Sequence, residues 1–492
     1  MTLFAVAALL AATLRPPDSL ALRLEKELRP YLDQRAAAGR FSGVVMVARK
    51  GTPIFSAAYG MADRARGVAN TLDTRFNLGS ANKMWTAIAI AQLVERGKID
   101  VDAPVGRYLP NVPNAAVRDR VKIRHLLSHT SGLGSYFQNG FQRNRTYVES
   151  MADYLPFFIQ DSLAFEPGSR MGYSNAGFAL LGLIIERVSG VSYYEYMRTN
   201  ILARFTKNNS AFIDARRPPP DVATGYAAAP GQAGLVPNWD LIEQRSSPAG
   251  GAFVSARDMV AFGRALWSGR LVGMALVKQF TTGQVSMGVG IKYAFGFGDG
   301  TINGWRHVGH NGGIPGANAE FVSFPDHDID LVVLANQDGP AATDVHFRAL
   351  GIIAGLERPL AVALATDDDP PAASPTAPPP ANADRLPDNA IGRRTAAFLT
   401  AYSKGTGQAM AEFLTAHAVP RTDRTIEARA GAFEAWFDTT GPLRFDRVVR
   451  LTASAIDVAV VSAKDGAMVL KLTFEAQAPF RLQGVGLEAG PR

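Results

Sequence analysis

Ser80 and Lys83 form the only Ser-x-x-Lys in the chain, in the stretch Phe76-Asn77-Leu78-Gly79-Ser80-Ala81-Asn82-Lys83-Met84-Trp85. Ser80 stands where a loop gives way to a helix, so the hydroxyl and the amine three residues on share one helical face. From Ala81 to Val94 that helix is apolar or small nearly all round, the pattern of a buried helix. An ammonium carried by such a helix costs several kcal/mol, on the order of 3 or more, unless it is paired or gives up its proton. A lysine that gives up its proton near neutral pH can act as base for a neighbouring hydroxyl. The free N–H groups at the helix start suit a developing oxyanion. Taken alone the pattern is weak: 24 Ser and 11 Lys in 492 residues give about half a match by chance. A helix-start serine with a snorkelling lysine would look the same.

Two later motifs could complete this chemistry. Tyr173-Ser174-Asn175 lies where a Gly/Pro loop, Glu166-Pro167-Gly168-Ser169-Arg170-Met171-Gly172, enters another apolar helix. A phenol beside a lysine ammonium ionises more easily and can pass protons on, and an Asn175 amide can orient Lys83 or hold a substrate carbonyl. The bland alternative is an N-cap by Ser174 or Asn175. The second motif is His307-Val308-Gly309-His310-Asn311-Gly312-Gly313, read as a strand ending in glycines that let a ligand lie against the backbone. There the Gly313 N–H could face Ser80 as a second oxyanion donor. The alternative is a glycine turn with a satisfied histidine.

The elements around these motifs follow from patterning. Residues 20–38 predict an amphipathic helix with Leu20, Leu24, Leu28 and Leu32 on one stripe. Residues 42–49 and 53–60 predict a hairpin about Lys50-Gly51-Thr52. Helices are expected at Arg124–Ser128, Gly177–Ser189 and Ala256–Trp267, then strands at Arg306–His310, Ala319–Phe324 and Asp330–Ala335 and a helix over 342–356. Two strands, a long helical insert, then strands and a helix make one α/β domain carrying a helical lobe. The Pro/Asp/Ala-rich stretch 363–390 reads as a linker. Beyond it, 391–492 predicts short helices followed by an antiparallel meander turning at Lys464-Asp465-Gly466, a small α+β domain.

Composition narrows the function classes. The chain is 47% hydrophobic and 19% charged, with a net charge of +7 dominated by scattered arginine rather than a basic stripe, so nucleic acid is not an expected partner. With no cysteine, disulfides, thiolate metal sites and a cysteine nucleophile are excluded. The apolar run over residues 3–14 is too short to span a bilayer, and with Ser19-Leu20-Ala21 as a cleavage site it reads as an export signal over 1–21, although no basic residue precedes it. The expectation is a periplasmic or secreted protein with no transmembrane segment after processing and a hydrolase domain over 22–362.

Ser80-x-x-Lys83, Tyr173-x-Asn175 and His310-Asn311-Gly312 resemble, in that order, the three motifs of the serine β-lactamase and penicillin-binding superfamily. The Tyr-x-Asn form is similar to the class C β-lactamase, D-alanyl-D-alanine carboxypeptidase and family VIII esterase branch. So are Leu126-Leu127-Ser128-His129-Thr130-Ser131-Gly132-Leu133, Ser247-Pro248-Ala249-Gly250-Gly251-Ala252 and the run from Tyr173 to Ile185. The resemblance implies an antiparallel sheet flanked by helices, a helical lobe, and a site between them that needs no cofactor. It implies Ser80 as acylated nucleophile, Lys83 and Tyr173 sharing base and proton-shuttle work, the N–H groups of Ser80 and Gly313 as oxyanion hole, and Asn175, His310, Asn311 and Gly312 against the substrate. β-Lactamases usually carry lysine where His310 stands; a mostly neutral histidine favours carboxypeptidase, aminopeptidase or esterase chemistry over an efficient β-lactamase. The C-terminal domain resembles an NTF2-like roll on pattern alone. The substrate expected is a small-molecule or peptide ester or amide, with a true class C-like β-lactamase and a non-catalytic penicillin- or peptidoglycan-binding protein as alternatives. A metal hydrolase is disfavoured, since His125 and His129 lack the glutamate such a motif needs. An α/β-hydrolase is disfavoured because Gly172-Tyr173-Ser174-Asn175-Ala176 fails Gly-x-Ser-x-Gly at its last place.

Overall fold

The computed structural model describes residues 19–137, 141, 148–206, 210–228, 234–287, 290–356, 386, 390–419, 425–451, 455–464, 466–474 and 481–489. The apolar run over 3–14 and nearly all of the 363–390 stretch lie outside these residues, as does Asp465 of the predicted C-terminal turn.

Eight antiparallel strands form the main sheet: β1 (Gly43–Arg49), β2 (Thr52–Tyr59), β3 (Val285–Ser286), β4 (Lys292–Tyr293), β5 (Gly298–Ile302), β6 (Trp305–Ile314), β7 (Ala317–Phe324) and β8 (Ile329–Ala335). Their order is β2-β1-β8-β7-β6-β5-β4-β3, so the first hairpin pairs with the last strand and everything between is inserted. β1 from Gly43 to Ala48 and β8 from Leu331 to Ala335 are continuous apolar runs because both faces of the sheet are covered. Val44, Met46 and Ala48 join the core beneath the helical lobe, while Val45 and Val47 join a second core on the other face.

That second face is covered by a helical run over residues 19–37 (α1) and by a C-terminal helix of the domain, Ala341–Ile353. Leu20, Leu24, Leu28 and Leu32 are all buried there, as their spacing predicts. A strict four-residue repeat outruns the 3.6-residue turn of an α-helix. The wider turn at Leu24–Leu28, a π-helical segment, keeps the four leucines in line.

The lobe on the first face is built around α2 (Lys83–Glu95), in which every residue from Lys83 to Leu93 is buried. Next to it stand α3 (Asn175–Ser189) and α4 (Ala256–Trp267). Among the described residues no single helix is long and apolar enough to cross a membrane.

The described residues between 390 and 489 form a separate core. Helices Ala390–Ser403, Gly407–His417 and Ile426–Thr440 pack Phe398, Phe413, Phe433 and Trp436 against a four-stranded antiparallel sheet whose strands run in sequence order. This matches the predicted helices-then-meander pattern.

β6 departs from expectation. The predicted strand stops at His310 and ends in glycines, but β6 runs on to Ile314 and pairs with β7 through Asn311, Gly312 and Gly313. The reason is steric. A Cβ on Gly312 would lie 1.9 Å from the Leu78 carbonyl oxygen and 2.7 Å from the Ser80 nitrogen. Glycine here lets the strand pass directly over the Ser80 turn.

Candidate active site

Ser80 lies in a single 3-10 turn, Gly79–Asn82, that leads straight into α2. Gly79 has φ of +48°, and a Cβ there would sit 2.7 Å from the Gly313 nitrogen. A glycine is needed on both counts. The turn is strapped on its other side by residues 247–252. Asn82 Nδ2 donates to the carbonyls of Ser247 at 3.3 Å and Pro248 at 3.4 Å, and Asn82 Oδ1 accepts from Ala252 N–H at 3.1 Å. Leu78 N–H donates to the Ala252 carbonyl at 2.7 Å.

Lys83 is wholly buried, and its Nζ lies 3.0 Å from Ser80 Oγ, 2.7 Å from Asn175 Oδ1 and 2.6 Å from the Ala249 carbonyl. The two carbonyl oxygens can only accept. An amine that donates one N–H to each of them turns its remaining position, a proton or a lone pair, toward Ser80 Oγ. In the neutral state that lone pair meets the serine O–H, the arrangement a general base requires.

Tyr173 and Asn175 bracket the start of α3. Ser174 takes the N-cap, accepting from Gly177 N–H at 2.9 Å and donating to the Gly134 carbonyl at 2.8 Å. The capping alternative therefore holds for Ser174, which leaves Asn175 Oδ1 to Lys83; the Asn175 amide nitrogen lies 3.4 Å from Ser135 Oγ. The Tyr173 ring stands with its centroid 4.8 Å from Lys83 Nζ. It also lies against the imidazole of His129, at 4.1 Å between centroids.

The third motif comes from β6. His310 is buried, with Nδ1 against the Asn311 carbonyl and Nε2 2.9 Å from Tyr293 Oη. A carbonyl only accepts, so Nδ1 carries the proton and Nε2 accepts from Tyr293. Burial, and then the charge of Lys83, push His310 down to about 3, so it is neutral throughout the physiological range. Both ring nitrogens are thus occupied within the protein. Asn311 and Gly313 are exposed at the cleft, and Asn318 Nδ2 lies 3.4 Å from the Gly312 carbonyl. Ser80, Lys83, Tyr173, Asn175 and the 310–313 segment are therefore brought to one place from three separate elements.

Sequence reasoning passed over several contributors. The Ala249 carbonyl and Asn82 fall inside quoted stretches, but a backbone acceptor has no side-chain signature. His129 fell inside a quoted stretch and was weighed only as a metal ligand, and Tyr293 gave no signal beyond being an aromatic residue near glycines. Glu243 is another: its carboxyl is held by Tyr154 Oη at 3.3 Å, and burial raises it to about 7.

The chain matches the family model described as Beta-lactamase over residues 28–354. A crystal structure of a penicillin binding protein from Bacillus halodurans is 30% identical, covers 69% of this chain and 99% of that chain, and superposes with a TM-score of 0.59. Esterase EstB of Burkholderia gladioli is 37% identical over 185 residues, 35% of this chain and 46% of that protein. Teichoic acid D-alanine hydrolase of Staphylococcus aureus is 28% identical over 229 residues, 46% of this chain and 55% of that protein, so the chain spans about half the length of these two relatives. With its family model matched over most of the sequence and the antiparallel sheet, helical lobe and serine–lysine pair in place, the chain belongs to the Beta-lactamase family and is a serine hydrolase.

Proposed function

We propose that this hydrolase cleaves a neutral ester or amide, of the esterase or D-amino-acid peptidase type, through an acyl-Ser80 intermediate. The observation that carries the proposal is the Lys83 amine held by the Asn175 and Ala249 oxygens so that its third position faces Ser80 Oγ. Lys83 takes the Ser80 proton as Oγ attacks the substrate carbonyl carbon. The N–H groups of Ser80 and Gly313, on segments that touch at Gly79, receive the oxyanion. Tyr173, whose ring borders Lys83, carries the proton to the leaving group, and water then releases the acyl group by the reverse path. Asn175 and Asn311 border the substrate.

The neutral, internally bonded His310 favours this over a β-lactamase reading, because position 310, where β-lactamases usually carry a permanently charged lysine, holds an uncharged ring. A relative named as an esterase supports an ester substrate, and one named as a teichoic acid D-alanine hydrolase supports a substrate that bears D-alanine. Action outside the cytoplasm is part of the proposal, motivated by the apolar run at residues 3–14, and cell fractionation tests it.

The mechanism is tested by mass spectrometry after exposure to a fluorophosphonate, a penicillin and a chromogenic ester. A covalent adduct on Ser80 is expected, absent in Ser80→Ala, whose turnover should fall by about 10³-fold or more. No adduct with any probe, together with full turnover in Ser80→Ala, would overturn the proposal.

A further inference from the structure

We infer that His129 is the positioning residue of Tyr173, holding its phenol beside Lys83 from three directions. The inference rests on the reading of Tyr173 as the proton carrier. The His129 carbonyl accepts from Gly172 N–H at 2.8 Å, on one side of Tyr173 in the chain. The His129 Nδ1 accepts from Ser174 N–H at 3.1 Å, on the other side. Between these two bonds the imidazole lies against the Tyr173 ring, 4.1 Å between centroids and tilted by 37°. One residue thus clamps both flanking peptides and the ring itself, on a loop with no regular secondary structure of its own.

Three features show that this arrangement is not needed for packing alone. His129 has φ of +56°, a conformation unfavourable for most side chains; it turns carbonyl and imidazole toward the same segment. Its ring is wholly buried among Tyr173, Phe178 at 5.2 Å and Tyr293 at 4.6 Å, yet Nε2 has no hydrogen-bond partner among the described residues. Because Nδ1 accepts from a backbone N–H, the proton of the neutral ring sits on that Nε2, and a buried donor without an acceptor costs stability. An apolar ring would avoid that cost but could not accept from Ser174. Burial, then Lys83 and His310, also lower the imidazole pKa well below its ordinary value, so the ring under Tyr173 adds no second cation beside Lys83.

The test is a mutant cycle on a chromogenic ester, with kcat and KM measured separately. His129→Ala should lower kcat by about 100-fold with KM within about threefold, the size of effect that misplacing a reacting group by about 1 Å produces. His129→Asn keeps an acceptor near Nδ1 and tolerates the positive φ, so it should recover to within about tenfold of wild type. In a Tyr173→Phe background His129→Ala should cost less than about threefold more, because the group it positions is already gone. A cost as large in that background as in wild type would mean a general structural role and would overturn the inference. If His129→Ala does not fold, the same cycle is run with His129→Asn, expected at about tenfold in wild type and near unity in Tyr173→Phe. Should Tyr173→Phe lower kcat while neither His129 variant does, only this inference fails. Should Tyr173→Phe keep full kcat, the role of Tyr173 falls and the inference with it.

Discussion

Proton positions around Lys83 decide what chemistry the site can run. Each neighbour's role follows from whether it can donate: Asn175 Oδ1 and the Ala249 carbonyl cannot, while Ser80 Oγ can. His310 is neutral for the same kind of reason, with one nitrogen on a carbonyl and the other on a phenol. Lysine at 310 would restore a permanent cation at the cleft and could still donate to Tyr293 Oη. We therefore expect His310→Lys to raise turnover of carboxylate-bearing β-lactams relative to neutral esters by about tenfold, within what one partly screened ion pair supplies. An unchanged ratio in parallel assays of a penicillin and a short-chain ester would show that position 310 does not select for charge. The residues that could do chemistry were visible one motif at a time as hydroxyl, amine and phenol side chains, and it was the resemblance of the three motifs, in order, to a known superfamily that joined them into one site. The carbonyl that completes the lysine's environment was not visible, since any residue could supply it and Ala249 lies far along the chain.

At the level of elements, the site depends on a strand crossing a turn at contact distance. Gly312 and Gly313 are neighbours on β6, yet their surroundings differ sharply. A Cβ at Gly312 meets backbone at 1.9 Å, whereas one at Gly313 meets only the Asn318 side chain at 3.8 Å. Gly312→Ala should push β6 off the Ser80 turn, separating the two oxyanion donors, and lower kcat by about 100-fold or more, as loss of one donor does elsewhere. Gly313→Ala should stay within about fivefold, a surface-type change. Equal effects of the two on steady-state kinetics would contradict the idea that close approach, not glycine's flexibility, is what position 312 requires. This is also where local sequence reasoning fell short. Glycines read as a strand end by propensity, and the contact that reverses that reading lies more than two hundred residues away in Leu78–Ser80. By contrast α2 and the leucine stripe of α1 were readable, because burial on all sides and burial on one stripe each leave a local pattern.

At the scale of the whole molecule, enclosing a sheet between two helical layers buries titratable groups on both sides, and these set how stability responds to pH. The apolar runs Val44–Ala48 and Leu331–Ala335 were read only as strands; that both their faces are buried, and which polar groups are trapped with them, became visible only in the fold. His346, on the helix Ala341–Ile353, is one of them: it is buried, its Nδ1 has no hydrogen-bond partner among the described residues, and burial lowers it to about 3. His310 is lowered in the same way, whereas burial raises Glu243 and Asp330 to about 7 and Asp344 to about 6. The signs oppose. A histidine held neutral in the fold contributes stability that is complete above its unfolded value of about 6.5 and is lost as pH falls toward 3, because the unfolded chain takes up the proton first. A raised carboxyl contributes stability that is complete below an unfolded value of about 4 and is lost as pH rises through its folded value. The full profile is therefore flatter than either set alone, and a single-site difference is needed to see one member. Comparing wild type with His346→Asn removes the shared terms. The difference in urea-unfolding free energy between them should shift by up to about 2 kcal/mol in favour of the variant between pH 7.5 and pH 5, at ~1.4 kcal/mol per unit below 6.5. A gap that stays constant across that range would mean that His346 binds its proton equally in both states, and that the closed second face of the sheet does not hold it neutral.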